Sequence, residues 1–469
     1  MPELKLYNTL TREKEVFEPL MNESPNSKKY VGMYSCWPTV YSTPHIGNFR
    51  ATFTADLIRN TLKYFWYPVK AVMNITDVGH LVSDADDGED KLEKGSRIDG
   101  ISAWDVAKKY EDIFLKAMLE LRIERFDVMP RATEHIQEQI QMVESLEEKG
   151  YTYTIPDDGI YMDTSLVEDY GKLMWANYKK RLADLNAGER VDVWGKRNPT
   201  DFALWKFSPR DEKRQMERDS PWGIWFPGWH IECSAMASKY LGEQFDIHHG
   251  GTDHITVHHS NEITQSECSF WHKPWVKYWL HNEFLQVDGG KMSKSLGNIY
   301  SLDDIKAKGY SPLDLRYFYF KAQYSNFLNF TRDALEQAKN ERRGLIKKIR
   351  NLTPVEWDDD FQEKIYAALW DNLNTPKLLS DIHLALLHPT QQTLSVLKEL
   401  EDKVLKVWLF DPVIEQSVEV PEEILHLAEA RKQAKIDKNY ALADQLRAEI
   451  LEKWWEVKDS KDGFELIKK

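Results

Sequence analysis

The sequence predicts an α/β fold in which a parallel sheet is interrupted by an inserted α+β segment and followed by an all-α bundle and a small C-terminal module. Three observations carry this expectation. A strand–helix–strand pattern lies near the N-terminus, a hairpin signature interrupts the chain further on, and almost everything from Arg332 onward has helical periodicity.

The first strand is expected at Tyr30 to Cys36 (YVGMYSC), a short apolar run soon followed by a proline. After a turn-like stretch, a helical pattern runs to about Trp66 with Leu57, Ile58, Leu62 and Phe65 on one face. Pro68 stops that helix, and VKAVMNIT reads as the next strand. Strand, helix and strand at this spacing form a βαβ unit, hence parallel strands. Between about Arg122 and Lys206 the texture changes. A helix is predicted over Glu134 to Lys149, then GYTYTIPDDGIYMD gives two alternating runs around an Asp-Asp-Gly turn, read as a hairpin within an insertion. Strand-like residues resume near Phe245, Asp246, Ile247 and His248.

A chain of 469 residues can bury several cores, so two to four domains are expected. With 42% hydrophobic and 29% charged residues it has the composition of an ordinary globular protein. No stretch reaches transmembrane length and the start lacks the apolar run of a secretory signal, so a cytoplasmic protein with no membrane partner is expected. Three cysteines, Cys36, Cys233 and Cys268, are too few for a disulfide framework and read as reduced thiols or metal ligands. The net charge of -14 does not exclude a nucleic-acid partner, because phosphate binding depends on local basic faces.

Two short motifs suit phosphate chemistry. His45-Ile46-Gly47-Asn48 sits between the first strand and the first helix, where free backbone N–H groups and the positive end of the helix dipole favour an anion. Gly47 lets the backbone approach a nucleotide, and His45 and Asn48 can donate to phosphate oxygens; taken alone, the motif is more often simple turn chemistry. Lys291-Met292-Ser293-Lys294-Ser295 follows a Gly-Gly turn. Two ammonium groups on such a loop could neutralise charge developing on departing pyrophosphate, although a solvated lysine–serine loop has the same composition. A third grouping is more dispersed. The i, i+4 spacing of His258 and Glu262 places them on one helix face, and with Cys36 and Cys233 they make a four-ligand zinc set; two buried apolar cysteines are the competing reading.

In this order, HIGN and KMSKS resemble the two signatures of class I aminoacyl-tRNA synthetases. CxPTVYxxxHIGN, GWHIECSAM, GGxDxxxxHHxNE and KMSKSLGN narrow the resemblance to the cysteinyl-tRNA synthetases, and it runs essentially end to end. The resemblance implies a class I Rossmann-type catalytic domain with ATP at the carboxyl edge of its sheet. It implies one Zn²⁺ per chain on Cys36, Cys233, His258 and Glu262, taking the substrate thiolate as a further ligand. Thr76, Trp229, His248 and Asp253 match positions lining the cysteine and adenylate pockets. His45, Asn48, Lys291 and Lys294 match the catalytic positions, and Gly47, Met292, Ser293 and Ser295 complete the ATP site, with Mg²⁺ accompanying ATP. The implied partners are ATP, L-cysteine and tRNA(Cys), with transfer to the 2′ hydroxyl of the terminal adenosine, and a monomer is expected.

The expected boundaries are 1–121 and 207–280 for the two halves of the catalytic domain, the second carrying the zinc site. The connective insertion takes 122–206, the KMSKS loop and stem-contact region 281–330, the anticodon-side bundle 331–415 and the C-terminal module 416–469. A zinc ion is a physically sensible selector here. Apolar pockets discriminate by only about 1–3 kcal/mol per methylene, whereas a soft metal separates an easily ionised thiol from an alcohol. The insertion is also short for an editing module. On the segment Arg332 to Arg350, Lys339, Arg343, Lys347 and Arg350 line one helix face and Leu335, Ala338, Leu345 and Ile349 another. Such a basic stripe could follow a tRNA backbone, or be the solvated face of a bundle.

Departures from the family pattern are Ser260 in place of the usual glutamate, His249 in place of glycine, Ile224 to Phe226 where a Gly-Arg pair is common, and a longer acidic stretch after Asp77. Two other functions fit parts of the pattern: a cysteine–amino sugar ligase of the mycothiol pathway, which shares the catalytic half, and a synthetase-like RNA-binding regulator, which would usually lose a signature.

Overall fold

A computed structural model of the chain describes residues 3–22, 28–36, 39–78, 91–174, 195–208, 215–292, 297–352, 360–410, 421–453, 455–460 and 463–468. These residues fall into two compact units, Met1–Leu409 and Phe410–Lys469.

In the larger unit, a hairpin of β1 (Lys5–Asn8) and β2 (Glu13–Val16) precedes β3 (Val31–Ser35), helix α1 (Ile46–Tyr64) and β4 (Val69–Met73). Helices α2 (Lys91–Asp99), α3 (Ala103–Glu120) and α4 (Ile136–Glu148) lead to five strands, β5 (Thr152–Ile155), β6 (Gly159–Met162), β7 (Phe202–Phe207), β8 (Arg218–Ser220) and β9 (Gly223–Pro227). Helix α5 (Trp229–Leu241), β10 (Phe245–Gly251), helix α6 (His258–Phe270) and β11 (Val276–Asn282) restore the βα alternation. Strands β12 (Leu285–Val287), β13 (Gly290–Lys291) and β14 (Leu328–Phe330) form a small sheet, with α7 (Leu302–Ala307) and α8 (Pro312–Tyr319) between the last two. Helices α9 (Arg332–Arg350), α10 (Phe361–Trp370), α11 (Thr375–Ala385) and α12 (Gln391–Leu400) follow.

The strands β11–β10–β3–β4 pair in that order and all run parallel, so Ser35, Met73, Gly251 and Asn282 end at one edge. On one side of this sheet Tyr34, Val72 and Trp279 share a core with Cys233, Met236 and Ala237 of α5 and Ile263 of α6. The expected apolar face of α1 is buried, but so are Arg50, Asp56 and Arg59. Asp56 accepts from Arg59 at 2.6 Å and from Arg316 of α8 at 2.9 Å. A helix buried nearly all round keeps its charges only by pairing them.

The predicted hairpin forms as β5 and β6 within a five-stranded antiparallel sheet, ordered β5–β6–β7–β9–β8. This sheet runs past Lys206 to Pro227, where β9 pairs with β7. Residues 218–227 therefore belong with the inserted strands and not with the parallel sheet. Their sequence, RDSPWGIWFP, lacks the alternation that would have marked two further strands. Cys268 lies in the core beneath this sheet, with Ile140, Val143 and Leu146 of α4, and acts there as a small apolar residue.

In the second unit α13 (Glu422–Ile436) and α14 (Tyr440–Glu452) form a helical pair, followed by antiparallel β15 (Trp455–Ser460) and β16 (Gly463–Lys468). Its core is Ile424, Ala428, Ile450, Trp455 and Val457. The closing hairpin adds strand structure where the sequence read as helical almost throughout. None of the described helices is long and apolar enough to cross a membrane.

Candidate metal centre

Cys36 is the first residue past β3, and its N–H donates to the carbonyl of His249 at 3.1 Å, which ties it to β10 at the carboxyl edge of the sheet. Cys233 lies on α5, while His258 and Glu262 occupy successive turns of α6. The ligand atoms of Cys36, Cys233, His258 and Glu262 all lie within 4.8 Å of one another. The two sulfurs are 3.8 Å apart, Cys36 Sγ is 3.7 Å from Glu262 Oε1, and His258 Nε2 is 2.8 Å from the same oxygen. Two thiolates at the usual zinc–sulfur distance of about 2.3 Å and a tetrahedral angle stand about 3.8 Å apart, so the sulfur pair fits a zinc ion as it is. His248 Nε2 meets the other carboxylate oxygen of Glu262 at 2.9 Å, and His259 Nε2 lies 3.6 Å from Cys36 Sγ.

The cluster is almost wholly buried, and its charges are set by one another. Burial alone would raise the Glu262 carboxyl, but His248 and His258 outweigh it and hold the group well below the usual carboxylate range. Burial works against protonation of His258, yet Glu262 and Cys233 raise it to about 10. A hydrogen bond from Cys36 brings Cys233 down to about 7 against the effect of burial, while burial pushes Cys36 well up, so Cys233 is the first of the two thiols to ionise. Burial, then neighbouring imidazoles, keeps His259 and His281 neutral. A carboxylate and a readily ionised thiol are donor states a soft divalent cation requires, and His258, held protonated beside Glu262, would give up its proton to a cation bound there.

The two phosphate-type motifs meet in space. A Cβ built on Gly47 would come within 2.4 Å of Met292 Cε, and the Ile46 N–H donates to the Tyr300 carbonyl at 2.9 Å. The start of α1 differs from expectation, however. His45 Nδ1 accepts from the Gly47 and Asn48 N–H groups at 3.1 and 3.2 Å, and Asn48 Oδ1 accepts from the His45 N–H at 3.0 Å. These backbone N–H groups are therefore satisfied by a reciprocal cap and not held open for an anion. Because Nδ1 accepts, the ring proton sits on Nε2, and donation to a phosphate falls to His45 Nε2 and the Asn48 amide. Lys291 is exposed at the end of β13; Ser293, Lys294 and Ser295 lie outside the described residues.

Of the four pocket residues implied by the resemblance, three lie at the Cys–His–Glu cluster or at the carboxyl edge of its sheet. Trp229 stacks on His258 with ring centroids 4.2 Å apart, and His248 stacks on Trp279 at 4.4 Å. Thr76, just past β4, is buried and accepts from the Asn74 amide at 2.8 Å. Asp253 is exposed in the short turn after β10. Of the departures, Ser260 points its hydroxyl at the Ile255 carbonyl, 2.7 Å away, and Ile224 is exposed. His249 is buried, and burial lowers it to about 3 against the raising effect of Asn282. The acidic stretch after Asp77 lies largely outside the described residues.

On α9, Arg343, Lys347 and Arg350 are exposed, but Lys339 is half-buried, paired with Glu336 at 3.5 Å and lying over the Tyr310 ring. Arg342, outside the expected stripe, is buried against Asp314 at 3.0 Å. Three histidines that sequence reasoning did not single out support the cluster. His230 holds the far nitrogen of His258 at 3.0 Å, and His281 bridges His259 to Thr9 at 2.7 and 2.8 Å. His230 and His259 stood inside the motifs GWHIECSAM and GGxDxxxxHHxNE; His281 carried no local signal at all.

A family profile described as tRNA synthetases class I (C) catalytic domain matches residues 22–340. Cysteine–tRNA ligase 1 of Burkholderia lata is 44% identical, over 99% of this chain and 97% of that protein. The cysteine–tRNA ligases of Treponema denticola and Thermococcus gammatolerans are 41% and 38% identical, covering 95% and 98% of this chain and 96% and 98% of theirs. Among solved structures, a Mycobacterium tuberculosis methionyl-tRNA synthetase in complex with methionyl-adenylate superposes with a TM-score of 0.56, covering 89% of this chain and 96% of that one; at 15% identity this likeness shows the fold alone.

Proposed function

The chain belongs to the cysteine–tRNA ligases of the class I tRNA synthetase family, and from that premise we propose that it activates L-cysteine with ATP and transfers it to tRNA(Cys). The observation that carries this reading is the convergence of Cys36, Cys233, His258 and Glu262 beside Trp229 and His248, at the carboxyl edge of a parallel sheet. These four residues would hold one Zn²⁺, which supplies a soft centre for the substrate thiolate when bound.

Around that anchor the chain's own groups do the positioning. Trp229 and His248 wall the amino-acid pocket, and Thr76 and Asp253 complete it. The cysteine carboxylate attacks the α-phosphorus of ATP in line, giving cysteinyl adenylate and pyrophosphate. His45 Nε2 and the Asn48 amide bind the phosphates from one side while Lys291 and Lys294 offset the charge that moves onto pyrophosphate; Mg²⁺ accompanies the nucleotide. Residue by residue, Gly47 and Met292 pack the nucleotide floor, and Ser293 and Ser295 complete the residues assigned to ATP. In the second step a ribose hydroxyl of the terminal adenosine attacks the adenylate carbonyl and releases AMP.

Arg343, Lys347 and Arg350 form the exposed part of the basic stripe proposed to follow the tRNA backbone, with Lys339 at its half-buried end. The helices beyond residue 331 favour a tRNA acceptor over an amino sugar, since relatives named as tRNA ligases match this chain along nearly its whole length. The deciding experiment measures zinc content alongside ATP–pyrophosphate exchange with cysteine and with serine, then charging of tRNA(Cys). One zinc per chain, cysteine-only exchange and cysteinylated tRNA are expected. Equal exchange with serine, or full activity in zinc-free protein, would overturn the proposal.

A further inference from the structure

Cys36 and Glu262 each face two sets of partners. Cys36 Sγ stands 3.8 Å from Cys233 Sγ and 3.6 Å from His259 Nε2. Glu262 turns Oε1 to His258 Nε2 at 2.8 Å and Oε2 to His248 Nε2 at 2.9 Å. Replacing Cys233 and His258 by His248 and His259 therefore gives a second group of four, again with all ligand atoms within 4.8 Å of one another. We propose that the cluster contains a second seat for a soft divalent cation, formed by Cys36, His248, His259 and Glu262, which fills after the first and shares Cys36 and Glu262 with it.

Two observations support the seat. The first is how the shared ligands divide: a thiolate sulfur has lone pairs for two metals, and the two carboxylate oxygens already point at different histidines. The second is the outer shell. A metal-binding histidine usually has its other ring nitrogen held, and His259 Nδ1 meets His281 Nε2 at 2.7 Å, with His281 Nδ1 on Thr9 Oγ1 at 2.8 Å. His258 has the matching support from His230 in the first seat, at 3.0 Å. His248 Nδ1 is buried without a hydrogen-bond partner, its ring stacked on Trp279 at 4.4 Å, which makes the second seat the weaker of the two. Filling it also withdraws His248 from the proposed amino-acid pocket.

This inference rests on reading the first tetrad as a metal centre, and a cobalt titration separates the two. The full-length chain is stripped with a chelator and titrated with Co²⁺, following bound metal and the thiolate-to-cobalt charge-transfer absorption. The wild-type chain is expected to take two equivalents, the second about ten- to a hundredfold more weakly, the usual effect of a missing outer-shell partner. His259→Gln and, separately, His248→Asn should each lose the second equivalent and keep the first, whose two-thiolate spectrum reports that the variant is folded. A wild-type chain that saturates at one equivalent overturns the second seat and leaves the first standing. A second equivalent undiminished in both variants places that ion elsewhere and overturns it too. A chain that binds no cobalt at all overturns both seats.

Discussion

Replacing Cys233 by alanine removes one of four proposed zinc ligands while leaving the surrounding packing nearly intact. The sulfur lies 3.8 Å from that of Cys36 and is 2% exposed, so no water can take its place without opening the core between α5 and the sheet. Structural zinc sites with four protein ligands bind with about 10–16 kcal/mol, or about 3 kcal/mol per ligand if shared evenly. Loss of one thiolate should thus weaken zinc at least about a hundredfold. After dialysis against a chelator the variant is expected to be zinc-free under conditions in which the native chain keeps one equivalent. Its cysteine-dependent pyrophosphate exchange should fall with the metal, and its circular dichroism should be unchanged. Zinc retained at native affinity, or exchange that persists without zinc, would refute the reasoning, because either requires the thiolate pair to be incidental to the site.

Three further outcomes are expected. Glu401 is buried near Arg122 and its carboxyl is raised to about 7 from 4.5, chiefly by burial. Between those values the folded chain holds a proton that the unfolded chain has lost, so this group's contribution falls as pH rises through that window; Glu401→Gln should flatten the dependence and gain up to about 3 kcal/mol above it, and equal stabilities on both sides would count against the assignment. Arg316→Met strips Asp56 of a partner at 2.9 Å and leaves the Leu405 and Leu121 carbonyls, at 2.7 and 3.0 Å, without their donor. A loss of about 3–5 kcal/mol in urea unfolding is expected, and a loss below about 1 kcal/mol would show that the buried charges are not interdependent. Gly47→Ala puts a methyl group 2.4 Å from Met292 Cε and 3.0 Å from the His45 ring. Because the methionine can swing aside, thermal stability should hold while pyrophosphate exchange drops about ten- to a hundredfold; unchanged exchange would remove Gly47 from the nucleotide site.

The sequence by itself determined the local parts: the βαβ unit, the hairpin around Asp157, the i, i+4 pair His258 and Glu262, and the motifs whose residue order carries the family resemblance. Periodicity, turn chemistry and motif order are local properties, legible wherever a pattern is regular. It did not reveal that Ile224 and its neighbours extend an antiparallel sheet, because a short edge pair rich in turn residues has no alternation to read. Nor did it show that His45 caps its own helix, since the same residues could hold an anion or satisfy the backbone, and neighbouring geometry chooses between them. The tertiary structure alone decided what surrounds the cluster. Thr9, Cys36, His248, His259 and His281 come from separate strands, loops and a helix; His281 meets His259 and Thr9 at 2.7 and 2.8 Å, and Cys36 Sγ comes 3.6 Å from His259, only because a parallel sheet brings its carboxyl ends to one edge. Distance along the chain says nothing about such a meeting; burial and strand order do.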